Sequence, residues 1–173
     1  MLAKTYKRIE KDKRPVGEVI TRSGAPPLEK DYAAVETILE SRRPSRCLSR
    51  SESVNMREDR DFSLMGIDFD SGYVHLVEPL GPVEARDVKW IGALQARYPK
   101  GGLTLRDKYC GVSDDELADR YWRGERSAEP SVEHVTNEAR VVSVDDELSP
   151  VRPSKWTEAL KQVAQREING DRC

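Results

Sequence analysis

The sequence has little cysteine, few aromatic residues and no apolar run near the roughly 20 residues that span a bilayer. Its three cysteines, Cys47, Cys110 and Cys173, are odd in number and widely spaced, which is typical of a reduced protein and not of a disulfide scaffold. The first residues contain no apolar segment like that of a secretory signal. We therefore expect a cytoplasmic protein that does not cross a membrane.

Several signatures of common enzymes are also missing. The sequence contains no GxGxxG, GxxxxGK[ST], GxSxG or HExxH motif. The absence of CxxC and the isolation of its two histidines, His75 and His134, argue against a tetrahedral zinc site, and we predict no metal. A cysteine–histidine nucleophile pair stays open, although no spacing favours it. His75 lies among apolar residues, so we interpret it as a hydrogen-bonded structural residue.

Charge is abundant in the 173 residues. Charged residues make up 35% and hydrophobic residues 37%, with a net charge of -2. The first 60 residues are basic on balance and the remainder is acidic, which suits charge-steered association with a protein partner. A cluster of arginines makes nucleic acid a second, less favoured partner; it consists of Arg42, Arg43, Arg46 and Arg50.

Hydrophobic spacing and breaking residues predict strands mixed irregularly with helices. The predicted strands cover residues 16–21, 45–49, 72–77, 132–136 and 139–144. The predicted helices cover residues 28–42 and 86–98, a segment opened by a capping box at 113–116, and a last helix from Ser154. This order predicts an α+β fold with a small, largely antiparallel sheet flanked by helices.

The chain divides into three parts on this interpretation. Residues 1–15 form a basic N-terminal arm with a short helical piece around Tyr6 and Ile9. Residues 16–149 form the folded domain, and residues 150–173 add the C-terminal helix.

Three short motifs occur in order along that domain. They are residues 20–24 (ITRSG), residues 47–51 (CLSRS) and residues 132–135 (VEHV), the last preceded by YWRG at 121–124. With YVHLVEP at 73–79, this order resembles the ADP-ribosyltransferase superfamily, in particular its small bacterial and phage members, some of which would act as effectors. The resemblance implies a split sheet whose strands carry an Arg motif, a Ser motif and a Glu motif in turn.

The resemblance also implies the substrate NAD and a role for each motif. Arg22 would brace the NAD phosphates or the adenosine ribose. Ser49, with Ser51 nearby, would orient Glu133, and Glu133 would bind the 2′-hydroxyl of the nicotinamide ribose while nicotinamide leaves. Tyr73 or Tyr32 would stack on the nicotinamide ring.

Two departures from the family pattern limit what is implied. Ser131 stands two residues before Glu133, where arginine-modifying members carry Glu or Gln, so arginine is not implied as the acceptor. Arg50 puts a charge inside the serine motif, and Glu129 is a rival glutamate in a loop-like segment. The alternative to an active transferase is a non-catalytic protein-binding module, including one built on a degenerate transferase fold.

Overall fold

The computed structural model describes residues 4–10, 12–21, 33–58, 73–98 and 109–145. Within these ranges the α-helices are α1 (Ala33–Ser41), α2 (Lys89–Arg97) and α3 (Asp114–Trp122). The strands there are β1 (Tyr6–Glu10), β2 (Val19–Thr21), β3 (Val54–Met56), β4 (Tyr73–Pro79), β5 (Glu84–Asp87), β6 (Val132–Thr136) and β7 (Glu138–Asp145). A short 3₁₀ helix, Arg50–Glu52, precedes β3.

Four strands form one antiparallel sheet in the order β1-β4-β7-β2. Its centre is β4, whose sequence YVHLVEP is rich in the β-branched and aromatic residues that favour strands. Apolar side chains on one face of this sheet form a core with residues of β3; the cluster consists of Tyr6, Ile20, Val54, Met56, Val77, Ala139 and Val141. The core therefore joins strands that are far apart in the sequence.

The other sheet has three strands in the order β3-β6-β5. Strands β3 and β6 are antiparallel, and Met56 pairs with His134. Directly after β3, Arg57 forms an isolated bridge to Lys7 of β1, so the end of this sheet touches the first strand of the other. This bridge and the shared core hold β3 beside β1.

The helices pack through large aromatic side chains. The indole N–H of Trp122 in α3 donates to the carbonyl of Leu39 in α1 at 2.7 Å, and the indole of Trp90 in α2 donates to the carbonyl of Glu125. Ser113 caps α3 by accepting from the backbone N–H of Glu116 at 3.2 Å, as the capping motif predicts. The carboxylate of Glu116 accepts from Arg120.

The chain separates into two compact units. Of the described residues, 4–10, 12–21, 48–58, 73–85 and 132–145 belong to the first unit, and 33–47, 86–98 and 109–131 belong to the second. The first unit contains the four-stranded sheet with β3 and β6, and the second contains the three described helices. The division falls within β5.

The predicted α+β class with antiparallel sheets is confirmed. The helical piece expected around Tyr6 and Ile9 is wrong, because these residues form strand β1 and are buried against β4. The charged local sequence suggested an exposed arm, but the pairing of this segment with β4 stabilises it as a strand. Residues 6–10 of the predicted arm are thus part of the sheet.

Two other predictions in the middle of the chain are wrong. Residues 45–49 form turns and not a strand, because Pro44 starts the turn and Ser49 caps the 3₁₀ helix. The segment predicted as one helix from residue 86 begins with strand β5, whose sequence EARD has no strand-like alternation. The C-terminal helix predicted for residues 150–173 lies outside the described residues.

Candidate functional site

The serine motif forms a tight turn that its own hydroxyl groups hold. The Oγ of Ser49 accepts from the backbone N–H of Ser51 at 3.3 Å, and the two Oγ atoms are 2.8 Å apart. Ser53 donates its hydroxyl to the carbonyl of Arg50 at 3.3 Å. Hydroxyl groups that bond to nearby backbone favour caps and turns over longer helices. The backbone of Arg50 is therefore held on both sides.

The glutamate motif lies on β6. Glu133 is the second residue of that strand and only 1% exposed. The next residue, His134, has its ring 4.8 Å from the ring of Tyr6, on the face of the sheet that contributes to the core. Because neighbouring side chains on a strand point to opposite faces, Glu133 projects from the other face.

An ion pair connects the two motifs. The guanidinium of Arg50 donates from Nη1 to Oε1 of Glu133 at 2.9 Å, although the two residues are 83 positions apart in the chain. The side chain of Arg50 is 12% exposed and that of Glu133 is 2% exposed. A carboxylate withdrawn from water to this extent needs a hydrogen-bonding or charged partner, and Arg50 supplies one.

Arg50, which lies between Ser49 and Ser51 in the serine motif, contacts Glu133, whereas Tyr73 lies in the other sheet. Tyr73 begins β4 in the four-stranded sheet, opposite Glu10 of β1, and is half-buried. The serine turn and Glu133 instead belong to β6 and the segment leading into β3, in the three-stranded sheet. Arg22 and Tyr32 lie outside the described residues, so their proposed roles stay predictions.

Sequence reasoning did not identify Arg50 as the partner of Glu133. It singled out Arg50 twice, as a charge inside the serine motif and as one of a cluster of arginines, but no local pattern links it to a glutamate 83 residues away.

The sequence also did not point to Asp87 as a functional or structural residue. Its buried carboxylate accepts from the backbone N–H groups of Lys89, Ser127 and Ser131. The available signal was an aspartate two residues before the start of α2, a position from which a carboxylate can cap.

The prediction that His75 is a hydrogen-bonded structural residue is confirmed. Its Nε2 accepts from the backbone N–H of Arg14 at 2.9 Å, so the proton of the neutral ring sits on Nδ1, 3.1 Å from the carbonyl of Tyr73. Burial lowers the pKa of His75, which keeps the imidazole neutral.

Among the described residues, neither Cys47 nor Cys110 forms a disulfide. Across the part of the chain that the structure describes, no three His, Cys, Asp or Glu side chains are grouped to hold a metal ion. In the same ranges, no helix has both the length and the apolar character to cross a membrane.

Most members of the arginine cluster are engaged by acidic groups. Arg42 donates to Asp119 at 2.9 and 2.6 Å, and Arg43 donates to Glu40 at 2.7 Å. Together with the pair between Arg50 and Glu133, these contacts reduce the positive charge that a phosphate backbone would meet.

The comparisons with known proteins do not identify the chain. No protein-family model matches the sequence, and no curated protein is similar to it.

Proposed function

We propose that this chain is an ADP-ribosyltransferase that transfers ADP-ribose from NAD to a macromolecular acceptor and releases nicotinamide. The observation that carries the proposal is the direct link between the serine turn and Glu133, through the 2.9 Å contact of Arg50. The resemblance implies that the serine motif and the glutamate motif cooperate on one substrate, which requires them to be neighbours. If the short motifs matched the family only by chance, nothing would require the serine motif and the glutamate motif to be in contact.

The sheet arrangement supports the same proposal. A transferase of this superfamily would divide its core into two sheets and carry the Ser and Glu motifs on strands or strand ends of that core. The chain has a four-stranded and a three-stranded sheet, and the serine turn leads into β3 beside the glutamate-bearing β6. Fold alone does not specify activity, so the activity of this chain depends on its site residues.

The side chains at this site suit the chemistry of NAD. A carboxylate is a suitable acceptor for a ribose hydroxyl, and serine hydroxyl groups both donate and accept. Glu133 would accept from the 2′-hydroxyl of the nicotinamide ribose and stabilise the positive charge that develops on the sugar. Ser49 and Ser51 would hold the turn that borders the carboxylate. Arg22 would bind the phosphates, for which a planar guanidinium is well shaped.

The reaction exchanges one bond to the ribose for another. The bond between C1′ of the ribose and N1 of nicotinamide breaks, and its electron pair stays on nicotinamide, which leaves as a neutral molecule. A nucleophilic atom of the acceptor forms a new bond to C1′ and loses its proton to the solvent. The sugar passes through a transition state resembling an oxocarbenium ion, which a nearby carboxylate stabilises as in glycoside cleavage.

The direct test is to add NAD to the purified chain and follow nicotinamide release. Glu133→Gln should reduce the rate at least about 100-fold, a size typical of losing one electrostatic contact to a transition state. Glu129→Gln is the matched control, because Glu129 is exposed and lies four residues earlier in the chain. Its rate should equal that of the wild type. No release from the wild type, or equal release from Glu133→Gln with an intact fold, would contradict the proposal.

A second candidate is a non-catalytic module that binds a protein partner. The observation in its favour is that Glu133 is almost fully withdrawn from solvent, whereas a catalytic carboxylate must reach the sugar. The basic N-terminal segment would then supply the contact, through exposed side chains such as Lys4 and Lys13. A partner retained by the wild type and by Glu133→Gln, but lost from Lys4→Gln/Lys13→Gln, would support this function. Equal retention by all three proteins would argue against it.

A further inference from the structure

We propose that Arg50 is the positioning residue of Glu133, which sets the orientation of the carboxylate that the transfer reaction uses. The inference rests on the proposed function. It assigns a task to Arg50, whose charge departs from the family pattern of the serine motif. Arg50 would act through Glu133 and would not itself touch the reacting atoms.

Both residues of the ion pair, Arg50 and Glu133, lie in backbone segments whose conformation is constrained. Arg50 opens the 3₁₀ helix that Ser49 caps, and its carbonyl accepts from Ser53. Glu133 is the second residue of β6, directly before His134, whose backbone pairs with Met56 of β3. The contact at 2.9 Å therefore joins two fixed positions and not two mobile surface chains. An ion pair of this kind restricts rotation of the carboxylate group.

Stability alone is a poor explanation for such a pair. Removing two charges from water is costly, and a buried ion pair often contributes no more than apolar residues of similar volume would. Arg50 and Glu133 are nearly withdrawn from solvent in a chain that has buried apolar residues on the same strand, such as Val135. The arrangement instead favours a role for a charged carboxylate in one defined orientation.

The planar guanidinium is suited to this task. Arginine presents its N–H groups in a rigid fork that matches the geometry of a carboxylate, whereas lysine is a single charge on a flexible chain. Replacement by lysine keeps the charge and loses the fork. Replacement by glutamine removes the charge and keeps a hydrogen-bonding side chain.

The experiment measures nicotinamide release from NAD by Arg50→Gln, Arg50→Lys and the wild type, with thermal unfolding of each protein. We expect Arg50→Gln to lower kcat about 100-fold and Arg50→Lys about tenfold, with KM within about threefold of the wild type in both. Arg140→Gln is the matched control. Arg140 is an exposed arginine of β7 that donates to Glu78 at 3.1 Å, and its variant should keep the wild-type kcat.

The outcomes separate this inference from the function on which it rests. An active wild type with unchanged kcat per folded molecule in Arg50→Gln would overturn the positioning role and leave the transferase proposal standing. If Arg50→Gln does not fold, Arg50→Lys decides, and a lysine variant with the wild-type kcat would overturn the role. A wild type that releases no nicotinamide would remove the proposed function, and the inference with it.

Discussion

At the scale of single residues, the buried carboxylate of Asp87 organises the segment that leads into β6. Its Oδ1 accepts from the backbone N–H groups of Lys89 at 3.1 Å and Ser131 at 3.0 Å, and its Oδ2 accepts from Ser127 at 2.7 Å. Hydrogen bonds to a charged acceptor are stronger than neutral ones, and a buried N–H that loses its acceptor carries the full desolvation penalty. This one side chain therefore fixes both the start of α2 and the approach to β6.

Asp87→Asn should lower the free energy of unfolding by about 2 to 3 kcal/mol, because the amide keeps one acceptor and turns an N–H₂ group toward a backbone donor. Urea unfolding measures the change. Ser127→Ala is the control, since the buried Oγ of Ser127 has no hydrogen-bond partner among the described residues, and its loss should cost less than about 0.5 kcal/mol. Equal losses from the two variants would show that the carboxylate does not hold this segment.

At the scale of secondary-structure elements, β1 shows how a charged segment becomes part of a sheet. Its five residues pair in register with β4, and Lys7 exchanges backbone hydrogen bonds of 2.6 and 2.8 Å with Arg57. Tyr6 and Ile9 are buried, while the charged group of Lys4, just before the strand, stays at the surface. The strand therefore contributes to the core even though most of its sequence is polar.

Ile9→Ala should lower the free energy of unfolding by about 2 to 4 kcal/mol, as expected for removing a buried aliphatic side chain from a packed core. Lys4→Gln should leave stability unchanged, because an ion pair at the surface adds little to it. Thermal unfolding of the two variants beside the wild type measures the difference. An Ile9→Ala protein as stable as Lys4→Gln would contradict the burial of β1.

At the scale of the whole molecule, stability should depend on pH through His75. Burial lowers the pKa of this histidine in the folded chain, while nearby Glu10 opposes the shift and Arg14 and Arg8 add to it. The unfolded chain, in which His75 has its ordinary value of about 6.5, then binds the proton more readily. Protonation of Nε2 would also break the hydrogen bond from the backbone of Arg14.

The free energy of unfolding should therefore be fully retained above about pH 6.5 and decrease as the pH falls below that value toward the lowered pKa of His75. His75→Gln removes the titrating group, and its stability should change less between pH 8 and about pH 5.5. Urea unfolding at both values measures this.

The carboxylates act at lower pH. The hydrogen bond from the hydroxyl of Tyr98 and, to a smaller extent, the guanidinium of Arg97 lower the pKa of Asp114 in the folded chain. The stability that Asp114 contributes is therefore lost only when the pH falls below the ordinary pKa of an aspartate, about 3.9. An identical pH dependence in the wild type and His75→Gln would reject the role of His75.

The parts of the fold that local chemistry determines were predictable. Ser113 has the sequence of a capping residue and caps α3 in the structure. The alternating segment around His75 predicts β4, and its apolar neighbours indicate a buried, hydrogen-bonded histidine. The cap of α3 lies within three residues of Ser113, whereas Arg14, which bonds to His75, is 61 positions away, so the sequence predicted a hydrogen bond to His75 and not its partner.

Features that depend on distant partners were not predictable in this way. The five residues of β1 form a strand because β4 is beside them, and β5 has a charged sequence without alternation. At the candidate site, the sequence suggested the serine motif and Glu133 separately, and only the folded chain shows that Arg50 of this motif contacts Glu133, 83 positions away.

Local patterns were enough to predict the α+β class, helices α1 and α3, strands β4, β6 and β7, and the residue types available for chemistry, because periodicity, capping and turn preferences act locally. Only the tertiary structure decided that Arg50 meets Glu133, that Asp87 gathers three backbone N–H groups and that β1 belongs to a sheet. Apart from the hydrogen bond between Asp87 and Lys89, these contacts join residues that are tens of positions apart. They form only after the chain has closed the intervening loops, and no local pattern records which partner each side chain will meet.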